Sequence, residues 1–361
     1  MSDNRKKAVA ALSGGVDSSA AAALALEAGY EVVGATLRLR HPDPEFSAAQ
    51  VCASKNDEAA VEQVCRTLGI AHRYLDEYPA FEAEILRPAA EEYAAGRTPN
   101  PCCRCNPGIK FGKLIEFARS IGAERIITGH YAKLSRRPDG VCELRRGDDR
   151  RKDQSYFLYR LGQRELTMAE FPVGAMEKKA VRAVAARYGF VTSDKPDSQD
   201  ACFQVPGECF SETLRKLCHL PARPGSFLYR GKIVGRHSGI HQYTIGQRKG
   251  LNVALGVPAY VAAIDPVSGD ITLETDPEAL LSASFVLRDL HWQSGRAPED
   301  DGPLQVQIRY RSSGEPCRLE QFPGGCRVFP LRPLRAVTPG QSAVFYRDDL
   351  LLGGGVIDHA D

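Results

Sequence analysis

The residues best suited to chemistry lie in a glycine- and serine-rich run near the N-terminus. The run comprises Ala11, Leu12, Ser13, Gly14, Gly15, Val16, Asp17 and Ser18. Apolar residues 8–12 predict a strand before it, and the alanine-rich residues 18–28 predict a helix after it. Two adjacent glycines let a backbone approach a phosphate closely, and serine hydroxyls with helix N-terminal N–H groups bind anions. The run therefore predicts a pyrophosphate site, and it lacks the Gly-Lys-Ser/Thr ending of a Walker A loop.

A group of cysteines forms the second set of reactive residues. Cys102, Cys103 and Cys105 lie together, and Cys202 is a further conspicuous thiol. Because Pro99 and Pro101 restrict the backbone, we expect the group on a stiff loop. The cations Arg104 and Lys110 would favour the reactive thiolate. A reactive thiol beside an ATP site suggests sulfur transfer. By spacing alone, Cys102-x-x-Cys105 also fits zinc, an iron–sulfur cluster, a redox pair or chance.

The composition is that of a globular protein of two or three domains. The chain has 361 residues, of which 43% are hydrophobic and 25% charged, with a net charge of +2. Eleven cysteines without an export signal favour reduced thiols over a disulfide framework. No apolar run reaches the length of a membrane span, so we expect a cytoplasmic protein without a membrane partner.

Alternating strand and helix patterns predict an α/β fold at the start of the chain. Residues 1–220 are assigned to a nucleotide-binding domain with a parallel sheet, including a helical segment at about 150–195. Short β runs with Gly, Pro and Asp turns predict two small β-rich domains, at 221–280 and 281–361. Ligands bind beyond the carboxyl ends of parallel strands, where Leu37, Gly129 and His130 are expected.

The pattern Ser-Gly-Gly-x-Asp-Ser at residues 13–18 resembles the signature of the ATP-pyrophosphatase (PP-loop) superfamily. An ordinary glycine-rich turn is the alternative. Seven further motifs follow along the chain in the same order as in one protein family. They are 96–101 (Gly-Arg-Thr-Pro-Asn-Pro), 105–106 (Cys-Asn), 128–131 (Thr-Gly-His-Tyr), 152–158 (Lys-Asp-Gln-Ser-Tyr-Phe-Leu), 202–203 (Cys-Phe), 246–251 (Gly-Gln-Arg-Lys-Gly-Leu) and 338–341 (Thr-Pro-Gly-Gln). With them the chain resembles the bacterial tRNA-specific 2-thiouridylases over roughly residues 7–358. The resemblance implies a PP-loop domain, a central β-rich domain and a C-terminal β-barrel.

The resemblance also implies a reaction. ATP adenylates the C2 oxygen of the wobble uridine of a tRNA, and sulfur then displaces AMP. Residues 11–18, Leu37 and Gly129 would hold ATP, with Asp17 near the pyrophosphate and its Mg²⁺. Cys105 matches the family's nucleophile and Cys202 its persulfide-bearing cysteine, which an upstream sulfur donor protein would load.

Cys102 departs from the family pattern, because many members have Asp at this position. A carboxylate role therefore cannot be transferred to it. Cys102, Cys105 and Cys202 together offer enough thiolates for a 4Fe–4S cluster with one open iron, which would bind hydrosulfide. Sulfur delivery through a persulfide and a disulfide, without a cluster, is the alternative.

The remaining residues that match the family's motifs would contact tRNA. They are Asn100, Pro101, Cys102, His130, Lys152, Asp153, Gln154, Arg309, Tyr310 and Gln341. The basic residues at 145–160 fit phosphate neutralisation, and their alternative is a solvated helix face. Tyr310 would equally suit a packed strand. Two rival functions stay open: a synthetase of the same superfamily acting on a small molecule, and an RNA-binding module with a relic nucleotide loop.

Overall fold

The computed structural model describes residues 5–41, 55–196, 203–204, 207–298 and 302–361. Cys202, the expected persulfide carrier, lies outside the described residues. Within the described ranges, no helix combines the length and the apolar character that crossing a membrane requires.

A five-stranded parallel sheet forms the first domain, with the strand order β3-β2-β1-β4-β7. Its strands are β1 (Lys7–Ala11), β2 (Glu31–Arg38), β3 (His72–Asp76), β4 (Arg125–Ile127) and β7 (Ala169–Glu170). Burial of β1 explains its uninterrupted apolar sequence, since Ala8, Val9 and Ala10 are almost fully covered. The predicted α/β class with a parallel sheet is confirmed.

Helices lie between the strands of this sheet and after its last strand. They are α1 (Val16–Glu27), α2 (Lys55–Leu68), α3 (Tyr78–Phe81), α4 (Arg87–Ala94), α5 (Pro101–Cys105), α6 (Leu114–Ser120), α7 (Gln163–Leu166), α8 (Lys178–Arg187) and α9 (Phe210–Leu217). Two π-helical segments, Glu82–Leu86 and Asn106–Lys113, join α3 to α4 and α5 to α6. The segment expected to be helical at 150–195 holds α7, α8 and a short 3₁₀ helix, Ser155–Leu158, separated by loops and β7.

The central domain is a four-stranded sheet with the order β10-β11-β8-β9. Its strands are β8 (Gly225–Tyr229), β9 (Lys232–His237), β10 (Tyr260–Ile264) and β11 (Ile271–Glu274). Short 3₁₀ helices, Ile240–Gln242 and Pro277–Leu280, lie within and after it. A small apolar core that includes Phe227, Ile240 and Val261 holds this sheet together.

The last domain is a closed six-stranded barrel, as expected. The strands β13 (Phe285–Trp292), β16 (Gly325–Pro330), β15 (Glu315–Phe322), β14 (Leu304–Gln307), β18 (Ser342–Arg347) and β19 (Leu350–Ala360) follow each other in space, and β13 pairs with β19. A two-stranded sheet, β12 (Leu281–Ser282) with β17 (Leu334–Arg335), lies beside it.

A hairpin from the first domain extends the barrel sheet. Its strands are β5 (Ala132–Arg136) and β6 (Cys142–Arg146), and β6 pairs with β19 at Leu350. The sequence analysis did not anticipate this junction, because the strand partner lies about two hundred residues away in the chain. We retain boundaries near residues 220 and 280 as a proposal for how the chain divides.

A second junction joins all three domains at residues 96–98. Thr98 N donates to Pro339 O (2.8 Å), and Gln341 Nε2 donates to Thr98 O (2.9 Å). The Thr98 hydroxyl donates to Thr244 Oγ1 of the central domain (3.1 Å). Arg97 donates to the carbonyls at 357 and 358 in β19, at 3.1 and 3.0 Å. The barrel and the central domain therefore hold the residues immediately before α5.

Candidate active site

The glycine- and serine-rich run closes a tight loop between β1 and α1. Ser18 and Ser19 both donate hydroxyl protons to Gly15 O, at 3.0 and 2.9 Å. Ser13 N in turn donates to Ser18 Oγ (3.2 Å). Gly15 is the N-cap of α1 and offers no side-chain oxygen to the first-turn N–H groups. This arrangement leaves the helix start suited to an anion, and the pyrophosphate site stays a prediction.

Two glycines permit close packing around this loop. Gly14 has a φ of +76°, and a Cβ there would lie 2.8 Å from Asp57 Cβ. A Cβ on Gly129 would lie 2.6 Å from the carbonyl carbon of Asp17 and from Ser18 N. The end of β4 therefore packs directly against the first turn of α1, and Gly129 has no room for a side chain.

Two lysines that the sequence analysis missed reach this loop from the α8 region. Lys178 Nζ contacts both carboxylate oxygens of Asp17, at 2.7 and 2.8 Å. Lys195 Nζ donates to Gly14 O (2.9 Å) and pairs with the buried Asp57. In sequence, a lysine at the start of a helix or in the loop after it is typical of a solvated surface, so no local signal marked Lys178 or Lys195. The structure supplies two ammonium groups to a loop suited to phosphates.

Asp17 is the carboxylate that the loop would offer to Mg²⁺. Its Oδ1 also accepts the hydroxyl proton of Tyr131 (2.8 Å). Mg²⁺ bound to ATP commonly takes one or two carboxylates together with phosphate oxygens, so a single carboxylate fits such a site. The two oxygens of Asp17 offer about four lone-pair positions, of which Tyr131 and Lys178 use three, so one is left for Mg²⁺. Within the described ranges, no cluster of three potential metal ligands occurs.

The cysteine group lies on a helix, and the expectation of a stiff loop was wrong. Asn100 is the N-cap of α5 and Pro101 occupies its first turn. Proline is favoured there because its missing N–H has no helical partner and its φ is already helical. Cys102 and Cys105 are three residues apart and therefore share one face of the chain's helical turn.

Burial makes two of these thiols poor nucleophiles in the resting protein. Cys105 is only 4% exposed, and burial raises the pKa of its thiol to about 12, against a weaker lowering by Lys110. Lys110 favours the Cys105 thiolate, as expected, but the loss of hydration on burial outweighs this effect. Burial likewise raises the pKa of Cys103 to about 12, and its Sγ lies 4.0 Å from Tyr156 O. Cys102 is half-buried.

An apolar cluster surrounds Cys105 and connects it to the end of β2. Phe81, Ile109 and Phe203 belong to this cluster, and Leu37 packs against it. Phe203 is 2% exposed and is the residue that follows Cys202 in the sequence. Its ring lies 5.8 Å from that of Phe81. The chain thus returns to the Cys105 cluster directly after the second predicted sulfur carrier.

His130 follows β4 and is held in a fixed, neutral state. Its Nδ1 lies 2.8 Å from Thr128 Oγ1, and its ring contacts those of Phe111 and Phe171. Burial, with a smaller effect of Lys110, lowers the pKa of His130 to about 3. His130 can therefore accept or donate a hydrogen bond but carries no charge at neutral pH.

Residues 152–154 form part of a turn whose polar groups bond largely to the protein itself. Asp153 is buried and accepts protons from Gly147 N, Ser155 N and the Ser155 hydroxyl, at 3.0–3.1 Å. Gln154 bonds twice to the backbone of Tyr131, through its own N–H (2.8 Å) and its Oε1 (3.1 Å). Lys152 is half-buried. A tRNA contact by these three residues stays a prediction.

The predicted tRNA-contacting residues of the barrel also have internal partners. Arg309 donates to the carbonyl of Ala336, and Tyr310 packs its ring 4.5 Å from that of Phe157. Gln341 holds Thr98, as described above. These contacts give each residue a structural role, and their tRNA contacts likewise stay predictions.

A polar groove of about 720 Å³ opens between the turn at 149–153 and the barrel. Its basic lining comes from Arg146, Arg150, Arg151 and Arg311, with Tyr310 at one side. Arg150 is paired with Asp349 (2.6 Å), and Arg146 lies over the ring of Tyr346 (3.5 Å). Of the predicted tRNA-contacting residues, Asp153 lines this groove from the turn and Tyr310 lines it from the barrel. Asp348 and Asp349 also belong to the lining, so the groove carries carboxylates beside its four arginines.

Models of three domain families match consecutive parts of the chain. The tRNA methyl transferase HUP domain matches residues 6–206, which is more than half of the chain. The tRNA methyl transferase PRC-barrel domain matches residues 216–274, and the aminomethyltransferase β-barrel domain matches residues 282–357. The order of these matches agrees with the three sheets described above.

Curated relatives match over nearly the full length. The tRNA-specific 2-thiouridylase MnmA of Synechococcus sp. (strain JA-3-3Ab) is 42% identical, and the match covers 99% of this chain and 95% of the relative. The protein of the same name from Pelobacter propionicus is 41% identical, with 98% of each chain covered. That of Magnetococcus marinus is 38% identical, with 98% of this chain and 99% of the relative covered. The chain therefore belongs to the tRNA-specific 2-thiouridylase MnmA family.

Proposed function

We propose that the protein catalyses ATP-dependent 2-thiolation of the wobble uridine of tRNA. The observation that carries the proposal is the position of Leu37. Leu37 is the last residue but one of β2 and packs against the cluster that contains Cys105. Its neighbour Thr36 donates a hydrogen bond to Leu12 O, at the start of the nucleotide loop (2.8 Å). The anion-binding loop and the thiol helix thus lie at the same edge of the parallel sheet, where ligands of such sheets bind.

In the first step, the uridine C2 oxygen attacks the α-phosphorus of ATP and pyrophosphate leaves. The N–H groups at the start of α1 and the hydroxyl of Ser13 bind the departing pyrophosphate, and Lys178 and Lys195 balance its charge. Gly129 and Leu37 border the nucleotide. Mg²⁺ would bind Asp17 and the phosphate oxygens, where it neutralises charge on the leaving group.

In the second step, a sulfur nucleophile attacks C2 and AMP leaves with the former uridine oxygen. Adenylation makes this oxygen a good leaving group, and a persulfide supplies a strong sulfur nucleophile. Cys105 and Cys202 would carry and release the sulfur, which a donor protein provides in the cytoplasm. Because the Cys105 thiol is buried and protonated at rest, substrate binding must first rehydrate or deprotonate it.

Cys102 favours a 4Fe–4S route for sulfur delivery. The pair Cys102 and Cys105 shares one helical face and fits two ligands of a cluster, and Cys202 would be the third. When bound, a cluster with one open iron would hold hydrosulfide as the sulfur source. Metal coordination would also keep Cys105 deprotonated despite its burial. In the persulfide–disulfide route, the outer sulfur of a Cys202 persulfide bonds to C2 as AMP leaves. The Cys105 thiolate then cleaves the S–S bond, which leaves 2-thiouridine and a Cys105–Cys202 disulfide, and an external thiol reductant restores both thiols.

The groove lined by Arg146, Arg150, Arg151 and Arg311 would bind the tRNA backbone. Its guanidinium groups suit phosphate oxygens, and residues 100–102 at the start of α5 would contact the unstacked target base. Asp153 and Tyr310 line the groove. The further residues that would contact the tRNA are His130, Lys152, Gln154, Arg309 and Gln341.

Two measurements separate this proposal from its rivals. The protein is incubated with ATP, unmodified tRNA and a persulfide or sulfide source, and tRNA nucleosides and pyrophosphate are quantified. We expect 2-thiouridine together with tRNA-dependent pyrophosphate release. A small-molecule synthetase would bind no tRNA, and an RNA-binding module would bind tRNA without releasing pyrophosphate. Either result would refute the proposal.

The route of sulfur delivery has its own test. Protein purified anaerobically is analysed for iron and by Mössbauer spectroscopy, and activity is compared with sulfide and with a persulfide donor. We expect a 4Fe–4S signal in the wild type that is lost in Cys102→Ser. Iron-free protein with full activity on a persulfide donor would exclude the cluster as an essential group.

A further inference from the structure

Two sets of hydrogen bonds, one through Tyr131 and one through Lys178, connect Asp17 to the turn at residues 149–154. Tyr131 donates its hydroxyl proton to Asp17, and the backbone N and O of the same residue bond to Gln154. Lys178 contacts both Asp17 oxygens through its ammonium group, and its backbone N donates to Asp149 Oδ2 (3.1 Å). Both partners of the Asp17 carboxylate are therefore anchored by their backbones to this one turn.

The connection through Tyr131 is rigid, because the side chain is buried and its backbone is closely packed. Tyr131 is 1% exposed, so its ring cannot rotate freely when its backbone moves. A Cβ on Gly147 would lie 2.9 Å from Tyr131 O, which shows how closely the neighbouring chain encloses this backbone. A shift of the turn would thus be transmitted to the phenol oxygen and to Asp17, which directly follows the glycines of the nucleotide loop.

We propose that Tyr131 is a positioning residue that couples tRNA binding at residues 149–154 to ATP binding at the loop. The inference rests on the proposed function, because it takes the turn as part of the tRNA surface. A ligand that immobilises the turn also immobilises Tyr131 and Asp17, so the second ligand loses less freedom on binding. By thermodynamic linkage, tRNA and ATP then raise each other's affinity by the same factor.

The test measures this factor directly. The affinity for α,β-methylene ATP is determined by calorimetry with and without unmodified tRNA, and the affinity for tRNA with and without the nucleotide. For the wild type we expect the same factor in both directions, at least about fivefold. Tyr131→Phe keeps the buried ring and removes only the hydroxyl, so its factor should fall towards one.

Tyr188→Phe is the matched control. Tyr188 also donates its hydroxyl proton to a carboxylate across α1 and α8, to Glu27 (2.9 Å), but at the opposite end of α1 from the loop. This variant should keep the wild-type factor. If Tyr131→Phe does not fold, Gln154→Leu removes the side-chain hydrogen bond that joins Tyr131 N to the turn and is judged by the same criterion.

The outcomes are decisive and separable from those of the proposed function. A wild-type factor of one, or an unchanged factor in Tyr131→Phe, overturns the coupling role even when the protein makes 2-thiouridine. Equal loss of coupling in Tyr131→Phe and Tyr188→Phe overturns it too, since the effect would then be general. Absence of any tRNA binding by the wild type refutes the proposed function itself.

Discussion

The resting state of Cys105 leads to a quantitative prediction about its reactivity. Alkylation by iodoacetamide requires the thiolate. Burial raises the pKa of Cys105 from 9.0 to about 12, so near neutral pH its thiolate is about a thousandfold scarcer than that of an ordinary cysteine. In the folded protein without substrates, we expect Cys105 to react at least about a thousandfold more slowly than such a thiol.

The exposed Cys209 provides an internal comparison in the same sample. Protein is alkylated for increasing times at about pH 8, quenched and digested, and the modified fraction at each cysteine is measured by mass spectrometry. The Cys105 rate should rise about tenfold per pH unit up to pH 11, until the fold opens. In urea, where burial is lost, Cys105 and Cys209 should react alike.

A specific result would refute this reasoning. If Cys105 in the folded, substrate-free protein reacts within about tenfold of Cys209, its thiol is neither buried nor protonated as described. The proposed need for activation by substrate binding would then be removed. Slow reaction in both the folded and the urea-treated protein would show that alkylation is limited by something other than folding.

Four further perturbations test separate parts of the account. Lys152→Glu should weaken tRNA binding and reduce the slope of its salt dependence by about one, while nucleotide affinity measured in parallel stays unchanged. Gly129→Ala places a Cβ 2.6 Å from the backbone of α1, so we expect at least about tenfold weaker ATP binding. As a control, the Cβ of Gly108→Ala would meet only the carboxylate end of Glu84 at 3.3 Å, and this variant should bind ATP normally. Arg97→Met removes two hydrogen bonds to β19 and should lower the free energy of unfolding by about 2 kcal/mol in urea titrations; an unchanged midpoint would contradict the role of that junction. A hydrogen bond from Arg215 lowers the pKa of Glu212 from 4.5 to about 2, so the ionised carboxylate stabilises the fold fully above pH 4.5 and loses this effect as the pH falls towards 2. In Glu212→Gln, the free energy of unfolding should therefore depend less on pH between 4.5 and 2.

The nucleotide loop and the parallel sheet were predictable because their signals are local. A strand, two glycines and a helix start adjoin each other at residues 8–28, and the backbone preferences of those residues leave few alternatives. The positions of Leu37 and Gly129 near the carboxyl ends of β2 and β4 follow from the same alternation of strands and helices. The function could be predicted because the motifs follow one another along the chain in the same order as in one protein family.

Other parts of the site depend on contacts between distant residues. Lys178 and Lys195 reach the loop only because α8 packs beside α1, and nothing in their local sequence indicates this. Cys105 was expected on a stiff loop, but prolines also begin helices, and only tertiary packing decides how much a thiol is buried. Gln341 was predicted from family position alone, and its bond to Thr98 requires knowledge of the barrel docking.

The central claim is that this chain replaces a uridine oxygen with sulfur through Cys105. The most direct measurement is nucleoside mass spectrometry of unmodified tRNA after incubation with ATP and heavy-isotope sulfur, for wild type and for Cys105→Ser. The account predicts labelled 2-thiouridine with the wild type, and none with Cys105→Ser although that variant still binds ATP and tRNA. Labelled 2-thiouridine at the wild-type rate in Cys105→Ser, or none in the wild type with either sulfide or a persulfide donor, would contradict it.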